Sequence, residues 1–190
     1  MINKYGQLQG DDREKSVNES ETNRRMGSMT DEQDDAGAVY GNERVRVRAA
    51  RPADAERLAL LCGQLGYPTS VEQVRARLDR VQQDETNTVL VAEGIDGQVI
   101  GWVQVYARPL VVDDLNAEVG GLVVDERNRS QGVGRRLMEE AEAWAHAHDC
   151  EAVNVRSNVI RERAHHFYEE IGYRRIKTQL TLRRDLAETS

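Results

Sequence analysis

One stretch of this sequence limits the possible folds more than any other: residues 129–144 read RSQGVGRRLMEEAEAW. Gly132 and Gly134 stand where a strongly helical run must begin, although glycine is a poor helix former. The segment before them, residues 118–124, is rich in valine and predicts a strand. A strand, a glycine loop and a helix therefore follow one another, and the two glycines need a physical reason.

Two explanations of these glycines are open. A helix N-terminus presents unpaired N–H groups and partial positive charge, and glycines let a phosphate come close, so Arg129–Gly134 could cradle a phosphate or pyrophosphate. Alternatively, Gly132 and Gly134 only allow tight packing of the helix. Two familiar phosphate motifs are excluded, because GxxxxGK[ST] is absent and Leu137 stands at the third glycine of GxGxxG.

The apolar periodicity from residue 44 onward predicts the order β α α β β β α β α β. The strand over 118–124, the helix over 132–148 and the strand over 152–156 form one crossover. This crossover implies a parallel strand pair in an otherwise antiparallel sheet. The other predicted strands cover 44–49, 88–92, 99–106, 173–177 and 179–183, with a loop over 108–116; the other predicted helices begin near Pro52, near Ser70 and at Arg161.

Residues 1–43 differ from the rest of the chain, because they are polar and lack apolar periodicity. They contain ten acidic and five basic residues. Such a segment buries too little apolar surface to offset the entropy of ordering it. We expect an acidic, disordered tail over 1–43 and one folded domain over 44–190.

Bulk properties exclude several classes of function. The net charge of −7 argues against a nucleic-acid binder, which needs clustered Lys and Arg. No run of about 18 apolar residues predicts a membrane span, and the first residues lack an apolar signal core, so we expect a cytoplasmic protein. Cys62 and Cys150 have no metal-ligand neighbours, so we interpret them as reduced packing residues and expect no metal.

Two motifs together resemble those of the GNAT superfamily of acyl-CoA N-acyltransferases. Arg129, Gly132 and Gly134 match the pattern [QR]-x-x-G-x-[GA], and AHHFYEEIGY over 164–173 is similar to A-x-x-[FL]-Y-E-x-x-G-[FY]. The resemblance covers roughly residues 44–184. It implies an α/β fold: a mixed, mostly antiparallel sheet of about six to seven strands, flanked by about four helices, with a central splayed pair of parallel strands.

The same resemblance implies that acetyl-CoA lies where the central parallel strands splay apart. Backbone groups of Leu122 and Val124 would pair with the pantetheine arm, and the amides of the loop 129–134 would hold the pyrophosphate. The implied cofactor-binding residues are Leu122, Val123, Val124, Arg129, Ser130, Gln131, Gly132, Val133, Gly134 and Asn158. Arg135 or Arg136 either reaches the ribose phosphate or is an ordinary solvated arginine.

Attack by an amine on a thioester needs a base, a stabilised oxyanion and an acid for the leaving thiolate. Tyr168 matches the family tyrosine that lies near the sulfur, so the resemblance implies that it is the general acid; otherwise it is a core tyrosine. Glu118 matches a position where many relatives carry a glutamate base; otherwise it is a strand-end carboxylate. His165 and His166 are also candidate bases by their chemistry, although we interpret them mainly as structural.

One position departs from the family pattern. Seven residues before Tyr168, many members have an asparagine that contacts pantetheine, whereas this sequence has Arg161. Asn158, three residues earlier, could make that contact from the strand end. Otherwise the contact is lost or is made by the backbone.

The resemblance implies an N-acetyltransferase acting on a primary amine, most simply that of a small molecule. A protein lysine or N-terminal acetyltransferase, or a non-catalytic acetyl-CoA-binding module, is the alternative. Relatives often dimerise, so a homodimer is possible. An acceptor pocket could be lined by Tyr67, Trp102, Tyr106, Asp113 and Asp114, with the two aspartates suiting a cationic amine or forming an ordinary exposed loop.

Overall fold

The computed structural model describes residues 45–186, so the expected disordered tail over 1–43 lies outside the described residues. The described elements follow the predicted order up to the last helix. They are β1 Arg46–Ala49, α1 Ala55–Leu65, α2 Val71–Gln82, β2 Asn87–Glu93, β3 Val99–Leu110, β4 Asp113–Val124, α3 Val133–Ala147, β5 Val153–Val155 and α4 Glu162–Glu170. Short 3-10 turns cover Pro52–Asp54 and Glu126–Asn128.

The five strands form one mixed sheet in the order β1-β2-β3-β4-β5. The first four strands pair antiparallel, whereas β4 and β5 pair parallel. Helix α3 connects these two parallel strands, which confirms the predicted crossover. An α/β fold with four flanking helices is thus present as expected.

The sheet has fewer strands than the six to seven expected. No strand forms over 173–177 or 179–183 within the described part of the chain. Tyr173 is partly buried, but the aliphatic side chains of this segment, Ile176, Leu180 and Leu182, are exposed. The residues do alternate as in a strand, but a strand also needs a hydrogen-bonded neighbour, which periodicity alone does not supply.

The predicted loop over 108–116 is also wrong. Strand β3 runs on to Leu110 and β4 already begins at Asp113, so only Val111 and Val112 make the hairpin turn, and both side chains are exposed. Cross-strand pairing of Arg108 with Asn116 continues the ladder through polar residues whose pattern is typical of a loop.

The helices cover the two faces of the sheet. Helix α3 packs on one face, where α4 also contributes partly buried side chains, while α1 and α2 pack on the other face. Neighbouring residues Trp102 and Val103 contact different helix layers, as the alternation of a strand requires. Gly66 ends α1 at a φ of +95°. The predicted helix start near Ser70 is confirmed, because Ser70 caps α2 with a capping box to Gln73.

Candidate active site

The parallel strands β4 and β5 part after three residue pairs. Their register joins residues 117–119 to residues 153–155, and β5 ends there. Strand β4 continues to Val124 and keeps pairing with β3. The segment 120–124 therefore has a strand edge beside which no described strand lies. This opening, the gap, lies where the family resemblance implied that the two parallel strands separate.

A bulge at Gly120 reverses the side-chain alternation of β4 as the strand enters the gap. Gln104 pairs with Gly121 while the next residue, Val105, pairs with Val119, so Gly120 is the extra residue. A Cβ on Gly120 would lie 3.3 Å from the Gln104 side chain. Ala117 and Val119 contact the α3 layer before the bulge, and Leu122 and Val124 contact it afterwards.

The backbone of β4 presents two residues to the gap. The Asp125 amide donates to the Ile100 carbonyl, which fixes the antiparallel phase and directs the polar groups of Leu122 and Val124 away from β3. The Val124 carbonyl accepts a hydrogen bond from Arg129 Nε at 3.2 Å, as an outward-facing carbonyl can. Val123 lies in the opposite phase, paired with Trp102 of β3.

The loop before α3 combines both explanations of the glycines. Gly132 caps α3 with a φ of +79°, and nothing lies within 4 Å of the position where its Cβ would be. A Cβ on Gly134, in contrast, would lie 3.2 Å from Cζ of Phe167 on α4. Gly132 thus supplies a left-handed backbone beside open space, whereas Gly134 allows α3 and α4 to pack closely.

The first α-helical hydrogen bond of α3 runs from the Arg136 amide to the Gly132 carbonyl. The amides before it, those of Val133, Gly134 and Arg135, therefore belong to the leading turn, whose N–H groups have no acceptor within the helix. Such leading amides attract anions. Ser130 also has a positive φ, and Gln131 Nε2 donates to the Arg127 carbonyl at 3.1 Å. The conformation of the loop is therefore stabilised by its own side chains, and the three amides lie at the N-terminus of α3.

An ion pair anchors this loop to the opposite helix layer. The buried Asp125 carboxylate at the end of β4 pairs with Arg57 of α1, whose Nε also donates to the Val99 carbonyl at 2.7 Å. The hydrogen bond from the Arg127 amide, followed by the Arg57 guanidinium, lowers the pKa of Asp125 against the opposing effect of burial. The carboxylate is thus ionised at neutral pH and ties together α1, β3 and the loop.

We expect Asp125→Asn to lower the free energy of unfolding by about 2 kcal/mol at pH 7, because it breaks a largely buried ion pair. A lowered pKa stabilises the fold above the ordinary pKa of aspartate, near 4, and this contribution is lost as the pH falls through the lowered value. Urea unfolding should therefore show the difference shrinking below about pH 4. Asp79→Asn, on the exposed face of α2, is the control, and an equal loss at pH 3 and pH 7 would contradict the assignment.

Tyr168 lies on α4 against the α3 side of the sheet. Its ring contacts Phe167 and Tyr173 edge-on, at centroid distances of 5.1 and 5.7 Å. Burial raises the pKa of Tyr168 to about 12, and the nearby Arg161 opposes this rise. The hydroxyl therefore keeps its proton at neutral pH, as a general acid must.

Glu118 lies on the other face of the sheet, opposite Tyr168, because its neighbours Ala117 and Val119 contact the α3 layer. Its side chain is only 6 % exposed, and Oε1 accepts a hydrogen bond from the Tyr106 hydroxyl at 2.8 Å. Oε2 forms ion pairs with Arg156 at 2.9 Å and Arg108 at 3.3 Å. Burial, followed by this carboxylate, raises the pKa of Tyr106.

The sequence did not single out Arg108 and Arg156 as site residues. Arg108 lies two residues beyond Tyr106 on the same face of β3, and Arg156 follows β5 by one residue. Their shared contact depends on the register of three strands. The signal was the alternation Tyr106-x-Arg108, which becomes informative only once Glu118 is known to pair with Tyr106.

The segment after β5 contains the position that departs from the family pattern. Asn158 Oδ1 accepts a hydrogen bond from the Ile160 amide at 3.2 Å, so this side chain shapes a turn. Arg161 Nη2 donates to the Leu65 carbonyl at 3.0 Å, which links the start of α4 to the end of α1. Arg161 thus connects the two helix layers and also lies near Tyr168.

Other candidate residues lie outside this arrangement. His166 is 75 % exposed and pairs with Glu170 along α4 at 3.2 Å, and Arg136 pairs with Glu139 and Glu140 along α3. Tyr67 is exposed. Asp113 and Asp114 open β4 at the hairpin, where Asn116 Nδ2 donates to Asp113 Oδ2 and to the Asp114 carbonyl. The concavity that α2 forms with β1 and β2, lined by Leu78 and Gln82 among others, contains none of the candidate site residues.

The Trp102 ring of β3 packs against the part of β4 that borders the gap. A Cβ on Gly121 would lie 2.9 Å from Cη2 of the Trp102 ring, so this ring rests directly on the β4 backbone.

Among residues 45–186, no group of three or more His, Cys, Asp or Glu side chains is placed to hold a metal ion. Cys62 and Cys150 are unpaired and half-buried, and burial raises the pKa of both thiols. None of the described helices is long and apolar enough to cross a bilayer.

Known proteins share this arrangement of strands and helices. Glucosamine-6-phosphate N-acetyltransferase from Arabidopsis thaliana matches 75 % of this chain and 100 % of its own, with a TM-score of 0.64 and 19 % identity. An aminoglycoside 6'-N-acetyltransferase from Acinetobacter haemolyticus matches 75 % of this chain and 99 % of its own, with a TM-score of 0.66 and 17 % identity. At these identities the likeness shows the fold alone.

Sequence comparison identifies the family. N-acetylaspartate synthetase from Danio rerio is 29 % identical over 82 residues, which are 43 % of this chain and 28 % of that protein. The match thus spans little more than a quarter of that relative. Residues 55–173, more than half of the chain, match the model of the acetyltransferase (GNAT) family. The chain therefore belongs to the GNAT family of acetyltransferases.

Proposed function

We propose that this protein transfers an acetyl group from acetyl-CoA to the primary amine of a small molecule. GNAT acetyltransferases use acetyl-CoA as cosubstrate. The observation that carries the proposal is the open edge of β4 over 120–124, which is followed, after a 3-10 turn and the glycine loop, by the N-terminus of α3. An extended chain with an anionic end fits such a strand edge followed by a helix N-terminus.

The residues present fit this cosubstrate. Leu122 and Val124 direct backbone groups into the gap, where the pantetheine amides would extend the sheet. The loop amides at 133–135 would bind the pyrophosphate, and Gly132 leaves open space in front of them. Arg129, Ser130 and Gln131 would hold the loop, Val123 would support the edge from the β3 side, and Asn158 would contact the arm from beyond β5.

In the proposed mechanism, Glu118 and Tyr168 act from opposite faces of the sheet. Acetyl-CoA supplies the thioester whose carbonyl carbon the amine attacks. Glu118 takes the proton that the nitrogen loses as the C–N bond forms, and a β4 amide stabilises the oxyanion. Tyr168 gives its hydroxyl proton to the sulfur as the C–S bond breaks. Separate faces let one group receive a proton while the other donates one.

A small-molecule acceptor is favoured over a protein lysine by the charges beside Glu118. An open acidic groove would suit a lysine-bearing peptide, but the ion-pair partners of Glu118 are Arg108 and Arg156. Two solved structures of the same fold are named for small acceptors, glucosamine 6-phosphate and aminoglycosides. A non-catalytic module would not need a buried carboxylate and a half-buried tyrosine on opposite faces of the sheet.

Calorimetric titration with acetyl-CoA tests the proposed binding site through Gly132→Asp and its matched control Gly132→Asn. Asp and Asn both tolerate a left-handed backbone and both cap helices well, so both variants should fold. Only Asp places a negative charge against the pyrophosphate. We expect acetyl-CoA affinity to fall about tenfold further in Gly132→Asp than in Gly132→Asn, since repulsion of about 1.4 kcal/mol corresponds to a factor of ten.

Thiol release from acetyl-CoA, measured with a panel of amines, tests the reaction itself. We expect release that depends on both the amine and the protein. If the two Gly132 variants bind acetyl-CoA with equal affinity, the pyrophosphate does not bind at this loop. Absence of acetyl-CoA binding to the unmodified protein would overturn the proposed function.

A further inference from the structure

The buried carboxylate of Glu118 carries more positive charge around it than one carboxylate neutralises. Arg156 and Arg108 both pair with the same oxygen, Oε2, while Tyr106 donates to Oε1. Among the ion pairs of the described residues, Glu118 is the carboxylate partner of both arginines, and neither pairs with a second carboxylate. Two guanidinium groups facing one carboxylate leave a net charge of about +1 at the site.

The arginines are reachable from solvent, whereas the carboxylate is not. The side chains of Arg108 and Arg156 are 39 % and 57 % exposed, against 6 % for Glu118. An approaching ligand therefore meets the guanidinium groups before it meets the carboxylate. Because both arginines pair with the proposed base, a ligand that contacts Glu118 lies close to their positive charge as well.

We propose that the acceptor is a zwitterionic amine, a small molecule whose amine and a carboxylate or phosphate lie close together. This inference rests on the proposed function. Arg108 and Arg156 bind the anionic group, and they leave Oε2 of Glu118 as they do so. The freed carboxylate then pairs with the ammonium group, which gives one proton to solvent before the nitrogen attacks, and Glu118 takes the second proton as the C–N bond forms. The two arginines thus complement the anionic group of the acceptor, and Glu118 complements its ammonium group.

Other classes of acceptor fit this arrangement less well. A polyamine or other cation meets two guanidinium groups at the entrance and is repelled. A neutral amine offers nothing that draws the arginines away, so Glu118 keeps its ion pairs. An anion gains charge-assisted hydrogen bonds, which are about twice as strong as neutral ones. The acidic pair Asp113 and Asp114, at the far end of β4, does not reverse this balance at Glu118.

Acetylation rates for matched amines test the proposal. One arm compares α-amino acids with their α-amides, another compares O-phosphoethanolamine with ethanolamine, and a third uses putrescine as a cation. With rates expressed per free amine, we expect kcat/KM at least about tenfold higher for the anionic member of a pair. The carboxylate and phosphate arms identify which anion the site prefers.

Variants assign the preference to the arginines. Arg156→Gln and Arg108→Gln should each raise KM for the anionic acceptor about tenfold, so that the preference for the anionic member of each pair falls by at least that factor. Arg156→Lys should recover part of the loss, because it restores the charge. Arg46→Gln, on the exposed face of β1 at the other edge of the sheet, is the control and should change nothing.

The possible failures are distinguishable. If acetyl-CoA binds and thiol release proceeds equally well with uncharged or cationic amines, the acceptor class is wrong and the proposed reaction stands. The same conclusion follows if the arginine variants slow every amine equally. If acetyl-CoA does not bind, or no amine in any arm releases thiol, the proposed function fails and the acceptor class fails with it.

Discussion

We expect Tyr168→Phe to lower kcat about a hundredfold or more, which is what a positioned general acid contributes, and to leave acetyl-CoA affinity within about twofold. The substitution removes one hydroxyl from a ring held by Phe167 and Tyr173, so the packing of α4 persists. Burial raises the pKa of Tyr168 to about 12. The phenol therefore stays protonated across the physiological range, and kcat should not decline between pH 8 and pH 10 because of this group.

Tyr173→Phe is the matched control for this prediction. Tyr173 lies beside Tyr168, and its hydroxyl donates to Glu142 Oε1 on α3 at 2.8 Å. This variant deletes a tyrosine hydroxyl from the same aromatic cluster, one that is bonded to Glu142 and has no proposed part in proton transfer. Steady-state kinetics should show a change of less than about threefold in Tyr173→Phe. Comparable losses in both variants would indicate that the hydroxyls matter for structure and not for proton transfer.

We expect a second large effect from Glu118→Gln, a fall in kcat of about a hundredfold or more, because an amide cannot accept the amine proton. The substitution keeps the shape of the side chain and its capacity to accept the hydrogen bond from Tyr106. It also leaves Arg108 and Arg156 facing a neutral group, so their hold on the acceptor anion should persist or tighten. We therefore expect kcat to fall without a rise in acceptor KM.

The variant Tyr106→Phe tests how much the positioning of Glu118, as distinct from its charge, contributes to kcat. This variant removes the 2.8 Å hydrogen bond to Oε1 and leaves the carboxylate charged. We expect at most about a fivefold loss in kcat, consistent with one lost hydrogen bond of about 1 kcal/mol. A Glu118→Gln enzyme that retains most of its kcat but loses acceptor affinity would contradict the assignment of Glu118 as base and leave it a positioning residue.

Local sequence signals predicted the central part of this fold well, because that part is determined locally. The crossover from β4 through α3 to β5 has strong apolar periodicity, and its glycine loop is recognisable from residues 129–134 alone. The same signals failed after α4. The alternating residues of 173–183 satisfy the pattern of a strand, but a strand exists only with a neighbour, and no local signal states whether one is present.

The site residues that stand in local motifs could be predicted from the sequence, whereas the contacts that depend on strand register could not. Tyr168 and Gly132 stand in motifs that are readable within about ten residues of sequence. The environment of Glu118 depends on three strands, because it joins Tyr106 and Arg108 of β3 to Arg156 beyond β5. The register of β3 against β4 and the three-residue pairing of β4 with β5 bring these groups together. Register is a tertiary property, and for this reason the positive charge around Glu118 was not expected.

The two glycines show how a single motif serves two physical requirements. Sequence alone left a choice between a phosphate cradle and tight packing. The structure divides the roles: Gly132 has a positive φ next to open space, and Gly134 faces the Phe167 ring. A bulky residue at Gly134 would therefore displace α4 and Tyr168 with it, which makes Gly132 the cleaner position for testing the loop.

A crystal structure of the protein with bound acetyl-CoA tests the central claim most directly. We predict that the pantetheine arm pairs with Leu122 and Val124 in the gap between β4 and β5, and that the pyrophosphate contacts the amides of 133–135. The sulfur should then lie on the side of Tyr168, with the thioester carbonyl accessible from the side of Glu118. Acetyl-CoA bound elsewhere, with the gap closed by protein side chains, would contradict the account.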